Sequence, residues 1–208
     1  DNVARKAGSM GKEESKEITF WTQKEYQAFI EQVVDKPISY YAFEILYWTG
    51  IREGELLALT PADFDFARQM LSISKTWDYK GEGGFLPTKN KSSVRKIQID
   101  WQIVVKFSEL VKKLPPDEPI FVTESKIYNS TVNDVLTRHC RNCEISEISI
   151  HGLRHTHASL LLFAGVSIAS VARRLGHASM TTTQKTYLHI IQELENKDVD
   201  LVMRTLSG

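Results

Sequence analysis

The chain has 208 residues, of which 42% are apolar and 25% charged, and its 26 basic side chains balance its 26 acidic ones. That length suits one domain with at most a small appendage and allows a full core. No apolar run approaches the ~20 residues that span a bilayer, and the charged start DNVARKAGSMGKEESKE lacks the apolar segment of a signal peptide, so a cytoplasmic protein without membrane contact is expected.

Residues 1–17 are polar and pattern-free and are expected to be a disordered linker or tag remnant. A single domain is expected over 18–188 and a tail helix over 189–208. Thr22 and Glu25 frame a capping box, which predicts a helix to about Val34. The apolar run Ile38–Trp48 predicts a second, mostly buried helix ending near Gly50. Arg52 falls at the tight turn beyond it, and Glu53–Leu59 reads as a short third helix whose exit is marked by Pro61, Asp63 and Asp65. The pattern then alternates. Met70–Lys75 and Val94–Ile99 read as short strands and Phe85–Leu86 as the start of another. The Gly- and Lys-rich segment YKGEGGFLPTKNKSS between them reads as hairpin loops. Helices resume over Trp101–Leu114, stopped by Pro115 and Pro116, then over Tyr128–Cys143, His151–Ala164, Ile168–Leu175 and Thr181–Leu188. A last amphipathic piece, Ile190–Leu206, carries an apolar stripe interrupted around Asn196–Asp198. The expected fold class is α+β, mainly α-helical, with a small three-stranded antiparallel β-sheet.

A zero net charge is unusual for a nucleic-acid binder, yet the distribution is uneven. From Lys75 to Lys113 there are nine Lys and Arg against four acids. A local basic face on a neutral whole is enough to meet phosphates. Cys140 and Cys143 form a C-x-x-C after His139, but a zinc site normally needs four ligands and no second pair exists. They are expected to be reduced core thiols, and no metal is expected.

Tyr187 lies in TTTQKTYLHI, where three threonines suit a turn that presents its side chain outward. A phenol of pKa about 10 is roughly 0.1% ionised at neutral pH, so attack by it requires nearby cations and a proton acceptor. The same stretch supplies them. His151 and Arg154 form an H-x-x-R, and His177 follows in LGH, ten residues before Tyr187. A phosphodiester under attack gains negative charge on its non-bridging oxygens, which guanidinium forks stabilise. His151 and Arg154 share a face near a helix N-terminus, whose free N–H groups suit a phosphate. Each residue alone has a plainer reading: a half-buried helix tyrosine, surface ion-paired arginines, solvated hairpin cations at Lys89, Lys91, Arg95 and Lys96. His151 and His155 stand at the i, i+4 spacing of a metal pair, but Gly152 occupies the position of the zinc-protease Glu. Phosphate contact is therefore favoured over metal.

TGIREGE around Arg52, the lysine-bearing hairpin, H-x-x-R, LGH and Tyr187 occur in an order that resembles the catalytic set of the tyrosine recombinases, the family of phage integrases and Xer-type recombinases. The resemblance covers roughly Thr22 to Leu188. It implies Tyr187 as nucleophile, forming a 3′-phosphotyrosyl link, with Arg52, Arg154 and His177 stabilising the charged state. It implies Glu55 as a buttress, His151 as a proton-transfer or orienting residue, and Lys89 as the acid for the leaving 5′ oxygen, with Lys91 as rival. Lys91, Arg95 and Lys96 are expected to contact DNA; His155 and His157 are left as packing or support. No cofactor and no ATP are implied. The expected partners are double-stranded DNA, a homotetramer on two DNA sites and a directionality factor. Family members usually carry a further N-terminal helical domain; about twenty residues precede the first helix here, so the chain reads as the catalytic part. The hairpin is closer to integrases of mobile elements than to Xer enzymes. The rivals are a type IB topoisomerase acting on one duplex and a DNA-binding module with a vestigial site. The tail is expected either to fold back on its own domain or to dock on a neighbouring protomer.

Overall fold

In a computed structural model, which describes residues 18–122 and 129–207, both arms of the first capping box form. Thr22 Oγ1 accepts from the Glu25 N–H at 3.2 Å and the Glu25 carboxylate accepts from the Thr22 N–H at 2.7 Å, starting α1 (Gln23–Gln32). The expected linker 1–17 and the expected helix start at Tyr128 lie outside the described residues. Pro37 opens α2 (Pro37–Thr49), where a missing N–H costs nothing, and Gly50 closes it in the left-handed conformation at φ 64°. A Cβ there would stand 2.5 Å from the His157 ring, so both the turn and the close approach require glycine. The turn delivers the chain directly into α3 (Glu53–Leu57), with Arg52 as its first cap residue.

The three-stranded antiparallel sheet exists, in the order β1 (Phe64–Asp65), β2 (Met70–Ile73), β5 (Arg95–Gln98). Leu71 faces Ile97 and Ile73 faces Arg95. Its third strand is Phe64–Asp65 rather than the expected segment at Phe85. The chain leaves this sheet after Ile73, and β3 (Lys75–Trp77) pairs with β4 (Phe85–Pro87) in a separate two-stranded ribbon. Trp77 and Phe85 meet edge to face there, with ring centroids 5.1 Å apart.

The rest is helical: α4 (Trp101–Val111), α5 (Asn129–Asn142), α6 (Ile150–Phe163), α7 (Ile168–Leu175), α8 (Met180–Thr186) and α9 (Leu188–Ser207). The main core gathers Phe29, Phe43, Leu46, Ile103, Phe107 and Leu136 among others. A second cluster, Ala158, Leu162, Val171, Leu175, Tyr187, Ile190 and Ile191, binds α6, α7 and the start of α9. Cys140 is buried, which pushes its thiol up to about 11. Cys143 lies just past α5, half-buried, with its thiol on the Ala28 carbonyl rather than in the core.

The interruption expected at Asn196–Asp198 is one of the apolar stripe and leaves the helix whole. α9 runs unbroken through Asn196–Asp198, where a Glu193–Lys197 pair at 2.7 Å supports the turn. Ile190 and Ile191 pack on the domain, whereas Val199, Leu201, Val202, Met203 and Leu206 are 50–80% exposed. Among the described residues no helix is long and apolar enough to cross a membrane.

Candidate active site

α7 ends at Gly176, left-handed at φ 68°. The last carbonyls of a helix have no partner within it and carry partial negative charge. Here three consecutive ones each receive a guanidinium from a different element. Arg95 Nε of β5 donates to the Arg174 carbonyl at 2.7 Å, Arg154 Nη2 of α6 to Leu175 at 2.9 Å, and Arg52 Nη2 to Gly176 at 3.1 Å. Arg154 Nη1 also reaches the Gly50 carbonyl at the end of α2, at 2.6 Å. A Cβ on Gly176 would come within 2.8 Å of Arg95 Nη1.

Glu55 of α3 is the carboxylate inside this group, 3% exposed. Arg95 holds both of its oxygens, at 3.0 and 2.9 Å, and Arg52 donates to it from Nη1 and from its backbone N–H, each at 2.9 Å. Burial pushes the carboxyl up, but the hydrogen bonds and charges of Arg95 and Arg52 outweigh it and hold the pKa below the usual carboxylate range.

Arg52 and Arg95 share one carboxylate and Arg154 binds only carbonyls, which leaves positive charge uncompensated, and the neighbouring histidines register it. His177 follows Gly176, with Nδ1 2.7 Å from Thr183 Oγ1 of α8. Burial first, then Arg154 and Arg52, push its pKa down to about 4. His151 sits at the solvent edge of the first turn of α6; partial desolvation, then the same two arginines, push it down as well. Arg154, buried beside Arg52, is pushed down to about 9 and stays charged at neutral pH. A site of this kind favours an anion.

Tyr187 closes α8 and is 1% exposed. It does not project from a turn as expected, because Thr181–Thr183 belong to α8 and the ring enters the second core cluster. Its hydroxyl lies 3.0 Å from His155 Nδ1. Burial raises the phenol to about 12, against the opposing charge of Arg154.

The fold thus brings Arg52, His151, Arg154, His177 and Tyr187 around the ends of α2 and α7. It does not bring Lys89 there: that side chain is exposed on the loop after β4 and has no hydrogen-bond partner among the described residues. Lys91 is exposed on a single 3-10 turn (Lys91–Ser93) and Lys96 on β5. Arg95 departs from the expected DNA contact. Four of its five N–H donors serve Glu55, the Ser93 carbonyl and the Arg174 carbonyl, and its side chain is 7% exposed.

His157 is buried, with Nδ1–H on the Tyr47 carbonyl at 2.7 Å and Nε2 accepting from Arg174 Nε at 3.0 Å. Burial, then Arg174, push its pKa to about 3, so it is a neutral link between α2 and α7. Arg174 also donates to the Trp48 and Gln98 carbonyls. A cation in the last turn of a helix carries no sequence mark beyond its fit to the dipole, so the sequence does not single out Arg174. A groove of about 710 Å³, lined by His177, Lys96, Arg173 and Leu161 among others, opens beside the site.

The model of the Phage integrase family matches residues 19–193. The chain is 27% identical over 205 residues to the ICEBs1 integrase of Bacillus subtilis (strain 168), covering 89% of this chain and 54% of that one. It is 31% identical over 173 residues to the integrase of Staphylococcus phage L54a, covering 75% and 49%. It spans about half the length of these curated relatives. In fold it is similar to the Tn1549 transposon integrase solved with transposon right end DNA, with a TM-score of 0.73 at 22% identity over 85% of this chain and 64% of that one. It is also similar to XerA recombinase, at 0.67 and 22% over 90% and 65%.

Glu55→Gln keeps the side-chain shape and strands Arg95 without its counter-ion, so unfolding in urea at neutral pH should show a loss of about 3–5 kcal/mol. The carboxyl is held below its unfolded value near 4.3, so the wild-type contribution is complete above that pH and disappears as pH falls through the folded value. The gap between the two proteins should therefore close in acid. A gap under about 1 kcal/mol at neutral pH, or one that persists in acid, contradicts this account.

Proposed function

The chain belongs to the phage integrase family, and from that premise we propose that it cuts and rejoins double-stranded DNA as a site-specific recombinase, with Tyr187 as nucleophile. The observation that carries the reading is the convergence of Arg52, Arg154 and His177 on one positively charged site beside the Tyr187 hydroxyl. The phenolic oxygen attacks phosphorus, the bond to the 5′ oxygen breaks, and a 3′-phosphotyrosyl link stores the bond energy. Arg52 and Arg154 stabilise the charge that develops on the non-bridging oxygens, and preorganised donors of this kind are each worth about 10²–10³ in rate. His177 donates a further hydrogen bond, and His151 at the rim orients the phosphate. A lysine of the hairpin, Lys89 or its rival Lys91, protonates the leaving 5′ oxygen. The 5′ hydroxyl of a second strand reverses the step, so the scheme invokes neither ATP nor a metal. The duplex lies along the groove beside Lys96 and Arg173. Tyr187 is 1% exposed, so its phenol meets a phosphate when the side chains covering the hydroxyl part, with its contact to His155 kept.

The integrase names of the relatives, and the transposon DNA bound by the Tn1549 enzyme, support mobile-element DNA as substrate. They do not favour the topoisomerase reading. In this reading four protomers act on two DNA sites in the cytoplasm, with a directionality factor. The exposed stripe Val199, Leu201, Val202, Met203 and Leu206 of α9 docks on the neighbouring protomer.

Tyr187→Phe should retain DNA binding and form no detergent-resistant adduct on a pool of nicked duplexes with a randomised core; adduct in that variant would remove Tyr187 from the role. Lys89→Ala should regain cleavage on a duplex whose 5′ bridging oxygen is sulfur, which departs without protonation. Rescue of Lys91→Ala instead moves the acid two residues along. Ending the chain after Glu195 keeps Ile190, Ile191 and Leu194 in place. Cooperative assembly on DNA should then vanish with thermal stability unchanged, and a marked fall in melting temperature would assign the distal stripe to its own domain.

A further inference from the structure

The proposed reaction needs an atom to take the phenolic proton, and resemblance points to His151 for it. In the structure His151 makes no hydrogen bond to Tyr187. The hydroxyl's sole hydrogen-bond partner among the described residues is His155 Nδ1, at 3.0 Å. His151 instead packs edge-on against the His155 ring, with centroids 4.6 Å apart. We propose that His155 is a catalytic residue whose Nδ1 receives the Tyr187 proton as the phenolic oxygen bonds to phosphorus, and that His151 supports the His155 ring.

The assignment rests on Tyr187 being the nucleophile. A phenol O–H donates, so Nδ1 is the accepting nitrogen and the ring proton is on Nε2. Burial, then His151 and Arg154, push His155 down to about 4, so the acceptor is free at any physiological pH. Burial raises the phenol to about 12, far above His155, so complete transfer before attack is disfavoured. Transfer must therefore accompany formation of the P–O bond, when the phenolic oxygen becomes an ester oxygen with little proton affinity. A phosphate at Arg52 and Arg154 also offsets the Arg154 charge that, after burial, helps hold His155 down. The step balances: the O–H bond of Tyr187 breaks and its proton goes to Nδ1. The phosphorus–5′ oxygen bond breaks and that oxygen takes a proton from the hairpin lysine. When a 5′ hydroxyl attacks the phosphotyrosyl link, its proton returns to the lysine and the imidazolium returns its own to the tyrosine.

The test measures single-turnover adduct formation by the full chain on a duplex isolated from the nicked pool, at saturating protein. His155→Ala should bind DNA as wild type does and form adduct at least about 10²-fold more slowly. Free imidazole should restore its rate, more strongly from pH about 6 to about 8 as the neutral form increases. His155→Asn, with an amide near the Nδ1 position but no basicity, should stay slow; it decides the matter alone if His155→Ala fails to fold. A His155→Asn rate within about threefold of wild type, or a slow His155→Ala that imidazole does not restore, overturns the proton-acceptor role while leaving Tyr187 as nucleophile. Adduct formation by Tyr187→Phe overturns both readings at once.

Discussion

The carbonyls of Arg174, Leu175 and Gly176 are the constraint on which the site depends. Each accepts a hydrogen bond from an arginine of another element, β5, α6 and the cap of α3. The left-handed Gly176 ends the helix so that these oxygens have no intrahelical partner. Arg154 extends the same arrangement to Gly50, so the ends of α2 and α7 are held by one guanidinium. Glu55 then ties Arg52 to Arg95. Removing any member leaves buried charge or unpaired carbonyls, which is why guanidiniums in a largely buried setting hold one geometry.

This arrangement also reconciles a neutral chain with an anion-binding site. Of the 26 acids that balance the 26 bases, Glu55 is the one that joins these arginines among the described residues. The histidines respond to that local surplus. His177, His155 and His157 are all held neutral at physiological pH, with burial as the first cause and neighbouring cations adding to it. Neutral imidazoles accept and donate, so the site contains hydrogen-bonding groups of both kinds beside fixed positive charge.

Much of the fold was legible where its causes are local. The Thr22–Glu25 box, the closure of α2 at Gly50 and the span Ile168–Leu175 follow from contacts within a few residues. The members of the site were legible as types in order, but their convergence needs contacts such as the one between Arg52 and Gly176, 124 positions apart. Arg95 read as a solvated hairpin charge because its counter-ion lies 40 residues away on α3. Phe64–Asp65 is not legible as a strand because two residues display no period. The interruption of the apolar stripe at Asn196–Asp198 is legible in the sequence, and on a solvent-facing helix it leaves the backbone helical. The bond between His155 and Tyr187 joins two residues that each satisfied a simpler reading alone.

The continuity of α9 has a mechanical meaning. A helix of 20 residues spans about 30 Å. It is joined to the seven residues of α8, about 10 Å long, through Tyr187 alone. Ile190, Ile191 and Leu194 clamp the first two turns of α9 against α6 and α7, so the exposed stretch beyond them is a stiff rod held beside the tyrosine. A load on that stretch, where Val199 and Leu201 are exposed, reaches the segment that carries the phenol with no flexible joint between them.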